Sequence, residues 1–447
     1  MNQLEQFLPF LLRSVTHPYL PRLSGRWPWI IEDALNTYGD VVRIAPNELV
    51  FVRPQALSDI YGAHHQNIEL FPKTQINNHG SEKRGGLIWE WDPVRHRQVA
   101  KQISPAFSGR ALRAKEPALH RYIDLFIQHM ISDGQDDRGV SLPTWLNWLC
   151  VDISAEMAYN REMNAMQNRV NPPYLDLIYR FNTFMTVTQV SWRFPLLSPL
   201  KYLSILSSIV CPHGDIRQHS RARLEQRIRQ RGVVEHLDFI EQIIPEDREP
   251  PSDPKEMRHL EQVAGQLLVA GYEPPSKDTR RTLINKIRDS FEDITSDTVT
   301  PLPYLTACLK EDLRILPNTA SSHGMPCISP GTTVDGNYVP RGVVCQSSTF
   351  TLARSSKYFV DPLQFRPARW LPQDHALYDS RFSGDDVKWY RPFSQGPLAC
   401  MGKDITWWQA RLFVAKEINI DKNLRVYGLY IKPEVRVRFI PSNREGL

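Results

Sequence analysis

The stretch FSQGPLACMG (Phe393–Gly402), running into KDITWWQARLFVAKE, constrains this chain more than any other. Gly396 and Gly402 allow turns and backbone approaches closed to other residues, and Pro397 fixes one φ between them. The apolar run behind them has the pattern of a helix. Cys400 stands at the junction. A cysteine there is either one more buried thiol or the atom around which a metal chemistry is organised. If a helix starts just after it, the free N–H groups and positive helix end lower the thiol pKa and soften the charge of the thiolate.

Composition narrows the setting. The chain has 447 residues, 41% hydrophobic and 23% charged, enough for a sizeable core and typical of a soluble globular protein. A net charge of +5 without a basic run does not argue for nucleic acid; it permits weak attraction to an anionic surface or an acidic partner. The six cysteines (Cys150, Cys211, Cys308, Cys327, Cys345, Cys400) contain no C-x-x-C pair, so neither a disulfide framework nor a zinc site is expected, and a reducing compartment fits best. The apolar patch FLPFLL (Phe7–Leu12) is interrupted by Pro9 and is far short of the roughly 20 apolar residues of a spanning helix. It has no basic start or small-residue cleavage site of a signal peptide.

Periodicity gives a mainly helical chain with a smaller strand-rich part. GDVVRIAPNELVFV (Gly39–Val52) reads as two short strands around a Pro46–Asn47 turn. From Asp92 to His236 apolar residues recur at helical spacing, with breaks at Pro172–Pro173 and Pro212. Pro245–Pro254 is a polar, proline-rich loop. The next segment places Met257, Leu260, Val263, Ala264, Leu267 and Leu268 on one helix face. Beyond Asn318 short strands and turns lead to Cys400. No linker divides the chain, so residues 1–447 are expected to form one domain.

A second motif lies in YLTACLKEDLRILP (Tyr304–Pro317), where Glu311 and Arg314 are i,i+3 neighbours on one helix face. Exposed, such a pair contributes well under about 1 kcal/mol and is commonplace. FRPARW (Phe365–Trp370) then offers Arg369. Taken together, F-x-x-G-x-x-x-C-x-G, E-x-x-R and P-x-R-W in this order closely resemble the cytochrome P-450 family. YGDVVRIAPNELVFV, DPVRHRQVAKQISPAFSGRAL (Asp92–Leu112) and the region between the two signatures look like fungal members. The resemblance covers nearly the whole chain.

The resemblance implies the P-450 fold, with haem b held between the long central helix and the Cys loop. It makes Cys400 the axial iron ligand, with Phe393, Gly396 and Gly402 shaping the loop, and thiolate ligation favours O–O cleavage. Glu311, Arg314 and Arg369 become a structural network rather than catalytic residues. The implied function is a haem-dependent monooxygenase of fungal secondary metabolism acting on an apolar small molecule. Its O₂ chemistry takes electrons from an NADPH-dependent cytochrome reductase, with cytochrome b5 as a second candidate donor. A monomer is expected, on the cytoplasmic face of the endoplasmic reticulum. Residues 1–30 read as a shortened N-terminal segment without a transmembrane anchor, which would make the chain cytoplasmic or peripheral.

Several positions depart from the family pattern. The central-helix motif [AG]-G-x-[DE]-T-T reads AGYEPP, so Gly271 and Glu273 remain for the oxygen and proton-delivery groove while Pro274 replaces the usual hydroxyl. The following helical stretch is shorter than usual. Positions that commonly offer cations to the haem propionates hold Leu398, Ala100 and Cys327, leaving Arg97, Lys101 and His323 as substitutes. Two other readings therefore stay open beside the monooxygenase. One is a haem-thiolate isomerase, cyclase or peroxide-using enzyme; the other is a non-catalytic product of a truncated or mis-spliced gene.

Overall fold

The computed structural model describes residues 25–74, 86–133, 139–172, 212–270, 295–317 and 325–414, apart from short gaps within them, and three short strands between 425 and 437. Helix α1 (Trp27–Tyr38) begins with Pro28 in its first turn, where a missing N–H costs nothing, and closes at Gly39 with φ +112°. It buries Trp27, Ile31 and Leu35, spaced four apart on one face. β1 (Val41–Ala45) and β2 (Glu48–Phe51) pair antiparallel about the expected Pro46–Asn47 turn. Two later strands complete this sheet: β3 (Cys327–Ile328) and β4 (Val344–Ser347), in the order β1-β2-β4-β3, with β2 and β4 parallel. Phe51, Ile60, Tyr61, Phe71, Cys327 and Cys345 form the core beneath it.

The helical body follows the predicted periodicity. α2 (Pro93–Ile103) is capped by Asp92, whose carboxylate accepts from Val94 N at 2.9 Å and Arg95 N at 3.0 Å. α3 (Glu116–Asp133) is amphipathic, whereas α4 (Leu142–Tyr159) is apolar on nearly all sides and runs through the centre of the main core. Pro212, expected as a break, opens α5 (Pro212–Arg229) from its first turn. After the short α6 (Phe239–Ile243), the central helix α7 (Pro254–Ala270) packs on α4 and α5. Its predicted face is the buried one: Leu260, Val263, Ala264 and Leu268 are in the core, and Met257 and Leu267 pack against it. α8 (Pro303–Ile315), α9 (Thr349–Ala353) and α10 (Lys403–Val414) complete the helices that bear on the site. The mainly helical fold with a smaller β part is the one expected.

A buried ionic cluster joins α5 and α6. Arg227 bonds to Asp238 at 2.5 Å and to Glu241 at 2.6 Å, and Asp238 also caps α6 through Glu241 N at 2.7 Å. Lys115 is fully buried beside them, with its ammonium 4.9 Å from the Phe239 ring centre. Burial pulls its pKa from 10.5 down to about 8, against the opposing pull of Asp238. Between those values the unfolded chain keeps a proton that the folded chain has released, so Lys115 makes stability rise with pH from about 8 to 10.5. Lys115→Met should flatten that rise by up to about 3 kcal/mol. Denaturant midpoints of parent and variant at several pH values measure it, and parallel profiles would show that Lys115 is solvated as an ordinary lysine.

Candidate active site

The Cys loop is closed on itself and anchored from outside. Cys400 N donates to Phe393 O at 2.8 Å, which shuts the loop across Ser394–Ala399. Inside it Ser394 and Gly396 both take left-handed backbone, at φ +59° and +62°. Ser394 bears the strain of that conformation; Gly396 does not. A Cβ on Gly396 would stand 2.3 Å from Tyr61 O, so at this point the loop touches the backbone beside the sheet and only glycine fits. Gln395 Nε2 adds a bond to Leu57 O at 3.1 Å. On the far side Phe393 packs on Trp407 of α10, ring centres 5.9 Å apart.

Cys400 is the one exposed cysteine among the described residues; Cys308, Cys327 and Cys345 are buried and Cys150 is half-buried. Its sulfur lies in a recess. The residue keeps exposed surface, yet the surrounding protein pushes the thiol pKa up, and a hydrogen bond from Gly402 N opposes that rise only in part. This corrects the expectation of a lowered pKa. α10 starts at Lys403, so a single backbone N–H reaches the sulfur, and desolvation outweighs it.

Among the described residues no group of three or more His, Cys, Asp or Glu side chains could hold a metal ion by itself. Cys400 presents one sulfur donor, and that donor fits the thiolate ligation that the resemblance implies for haem. Arg97 and Lys101 are both exposed on α2, one turn apart, away from its buried residues His96, Val99 and Ile103. His323, Gly271 and Glu273 lie outside the described residues.

Glu311, Arg314 and Arg369 meet in one buried network. Glu311 and Arg314 are wholly buried, unlike an ordinary i,i+3 surface pair. Arg314 grips both carboxylate oxygens, at 2.7 and 2.8 Å, and donates to Ala353 O at 2.5 Å and Pro362 O at 2.6 Å. Arg369 Nε reaches Glu311 Oε1 at 3.2 Å. Two partners were not singled out from the sequence. Trp370 Nε1 donates to Glu311 Oε2 at 2.9 Å, and Asp385 pairs with Arg369 while accepting from Val360 N at 2.7 Å. Trp370 stood within the FRPARW string; nothing in the local sequence distinguished Asp385 from Asp386.

Comparison with known proteins decides the family. The cytochrome P450 family model matches residues 28–285 and 277–419, nearly the whole chain. The chain belongs to the cytochrome P450 family. The two matched stretches meet at 277–285, just past the point where the P450 central-helix motif gives way to Pro274–Pro275. Cytochrome P450 monooxygenase TwmD of Talaromyces wortmannii is 59% identical over 94% of this chain and 87% of its own length. Monooxygenase BOA3 of Botryotinia fuckeliana is 28% identical over 93% and 87%. Monooxygenase poxC of Penicillium oxalicum is 29% identical over 93% and 85%. The comparisons favour the monooxygenase over the two other readings, and the chain is an enzyme of this P450 class, a haem-dependent monooxygenase. P450 monooxygenases take electrons from a redox partner and bind small molecules.

The network makes a clear demand on the P450 fold. Glu311→Ala would leave Arg314 buried without its carboxylate and take from Arg369 one of its two, at a cost of about 3–5 kcal/mol. The variant should unfold at lower denaturant and lose haem on gel filtration. A variant that stays folded and haem-loaded but turns over slowly would instead place Glu311 in the chemistry.

Proposed function

We propose that this chain holds haem b through Cys400 and inserts one oxygen atom of O₂ into an apolar small molecule of fungal secondary metabolism. Electrons come from an NADPH-dependent cytochrome reductase, with cytochrome b5 as a second donor. Residues 1–447 act as one haem-thiolate domain, monomeric, at the cytoplasmic face of the endoplasmic reticulum. No helix among the described residues is long and apolar enough to cross a membrane, so attachment there would use other segments or surfaces. The observation that carries the reading is Cys400: a cysteine with exposed surface in a loop pinned at Phe393, Gln395 and Gly396.

When bound, the haem supplies activation of O₂. The chain holds and shields. Gly402 N–H bonds to the sulfur and tempers its charge. In the free protein the thiol is the resting form, and a coordinated cation favours its deprotonation. Arg97 and Lys101 are assigned to the propionate carboxylates, with His323 a third candidate from its place in the sequence. Gly271 and Glu273 are assigned to the groove, where the Glu273 carboxyl holds a proton and passes it on through water. Pro274 has neither a hydroxyl nor an N–H, so it contributes no donor.

The test is spectroscopic. The reduced, CO-bound parent should show the strongly red-shifted Soret band of thiolate haem, and Cys400→Ala should lose it while keeping its fold by circular dichroism. Retention of the band in Cys400→Ala would overturn the assignment of the ligand.

A further inference from the structure

Tyr61 is held by the sheet at one end and meets the Cys loop at the other. The short helix Pro54–Leu57 runs on into a single wider turn of π spacing, Ser58–Gly62, and Tyr61 lies near the end of that turn. Turns of this kind are rare and cluster at functional sites. The Tyr61 side chain is 2% exposed, in the core with Phe51, Phe71, Cys327 and Cys345. Its hydroxyl donates to Met325 O at 3.1 Å and accepts from Ser347 N at 3.2 Å. The phenol thus spends its proton and a lone pair on two backbone groups, one in β4 and one just ahead of β3. Burial raises its pKa well above that of an ordinary tyrosine, so the hydroxyl keeps its proton.

Three residues of the loop rest on this turn and its core. Gly396 comes so close that a Cβ on it would stand 2.3 Å from Tyr61 O. Gln395 Nε2 donates to Leu57 O at 3.1 Å, and a Cβ on Gly62 would stand 3.1 Å from the same Nε2. Leu398 packs against the core that holds Tyr61. It is two positions before Cys400, so any effect of Tyr61 on the sulfur passes through the loop backbone.

A steric contact of this kind places the loop only as well as the carbonyl beneath it is placed. A four-residue helix and one further turn have little stability of their own. What fixes Tyr61 O is the far end of the same side chain, tied to the backbone on both sides of the sheet core. The Cys400 sulfur lies in a recess and receives Gly402 N–H, and both features depend on the height at which the loop sits. A site held about 1 Å too loosely loses its geometry.

We infer that Tyr61 is a positioning residue for the Cys400 sulfur: its hydroxyl fixes the carbonyl on which Gly396 rests, and so keeps the loop at the height that holds the sulfur in its recess. The positioning rests on the geometry alone; its consequence for ligation of the iron rests on the haem reading.

The test uses the full chain in four forms. Beside the parent stand Tyr61→Phe, which removes the hydroxyl and keeps the ring, and Gly396→Ala, which displaces the loop from the other side of the contact. Val339→Ala truncates a buried residue of the same core and leaves the hydroxyl and the loop as they are. Alkylation by iodoacetamide, read at Cys400 by mass spectrometry, needs no haem. Cys400 should react about fivefold faster in Tyr61→Phe and Gly396→Ala, the scale of one lost hydrogen bond, and at the parental rate in Val339→Ala. In haem-loaded protein the reduced CO complex is held at one warm temperature, and the red-shifted thiolate Soret band should decay about fivefold faster in Tyr61→Phe than in parent or Val339→Ala. An unchanged Cys400 rate in Tyr61→Phe would overturn the positioning. An equal rise in Val339→Ala would show a merely structural role and overturn it too. A Tyr61→Phe that fails to fold by circular dichroism hands the test to Gly396→Ala, where an unchanged rate has the same force. Equal decay of the band in every form would overturn the consequence for ligation. A parent series that shows the alkylation pattern but takes up no haem would leave the positioning standing and sink the haem reading.

Discussion

A carboxylate without water must be surrounded by donors, and the site depends on how Glu311 meets that requirement. It accepts from Arg314 twice, from Arg369, from Arg366 N at 2.8 Å and from Trp370 Nε1. Taking charges out of water costs several kcal/mol each, so a network of this kind is tolerable only when charge and hydrogen bonds both balance. Here they do: Glu311 and Asp385 oppose Arg314 and Arg369. The donors come from α8 and from Arg366, Arg369 and Trp370, while Ala353 O, Pro362 O, Gln364 O and Val360 O receive other guanidinium protons. That balance exists only when the chain after α9 lies in one place on α8. Tyr390, which donates to Lys310 O at 2.9 Å, carries this placement to the threshold of the Cys loop.

The loop has a second, independent support at the sheet. Gly396 rests on Tyr61 O, and the Tyr61 hydroxyl donates to Met325 O at 3.1 Å and accepts from Ser347 N at 3.2 Å. Tyr61 thereby joins the loop to strand β4 and to the approach to β3. Two anchors of different kinds, an ionic network on α8 and a steric contact at the sheet, fix the sulfur between them. Neither suffices alone: the network ends before Phe393, and the glycine contact places only the middle of the loop.

Periodicity made most of this fold legible. The strands around Pro46–Asn47 and the buried face of α7 follow from the period of the apolar residues, because one-sided burial writes itself into spacing. Glu311, Arg314 and Arg369 were legible as a motif, but their burial was not, since an i,i+3 pair looks the same on a surface. Asp385 and the Gln266 bonds to Leu87 N and Ile88 N were hidden for a different reason. They depend on contacts between distant stretches, and Gln266 sits off the apolar stripe of α7 because a second layer, not the main core, covers it. The pKa direction at Cys400 was misjudged because sequence shows where a helix begins but not how much protein surrounds the sulfur.

Two parts of the chain are held by different physics. Around Cys400 the anchors are a charge network and a contact that admits only glycine, and both fix side-chain identity as well as position. At Leu87 and Ile88, Lys73 Nζ and Gln266 Oε1 grip only backbone C=O and N–H groups, which any residue except proline presents alike. Side chains at those two positions can therefore change size without loosening these four bonds. A frame of that kind lets the side chains at 87 and 88 vary while Lys73 and Gln266 keep hold of their backbone.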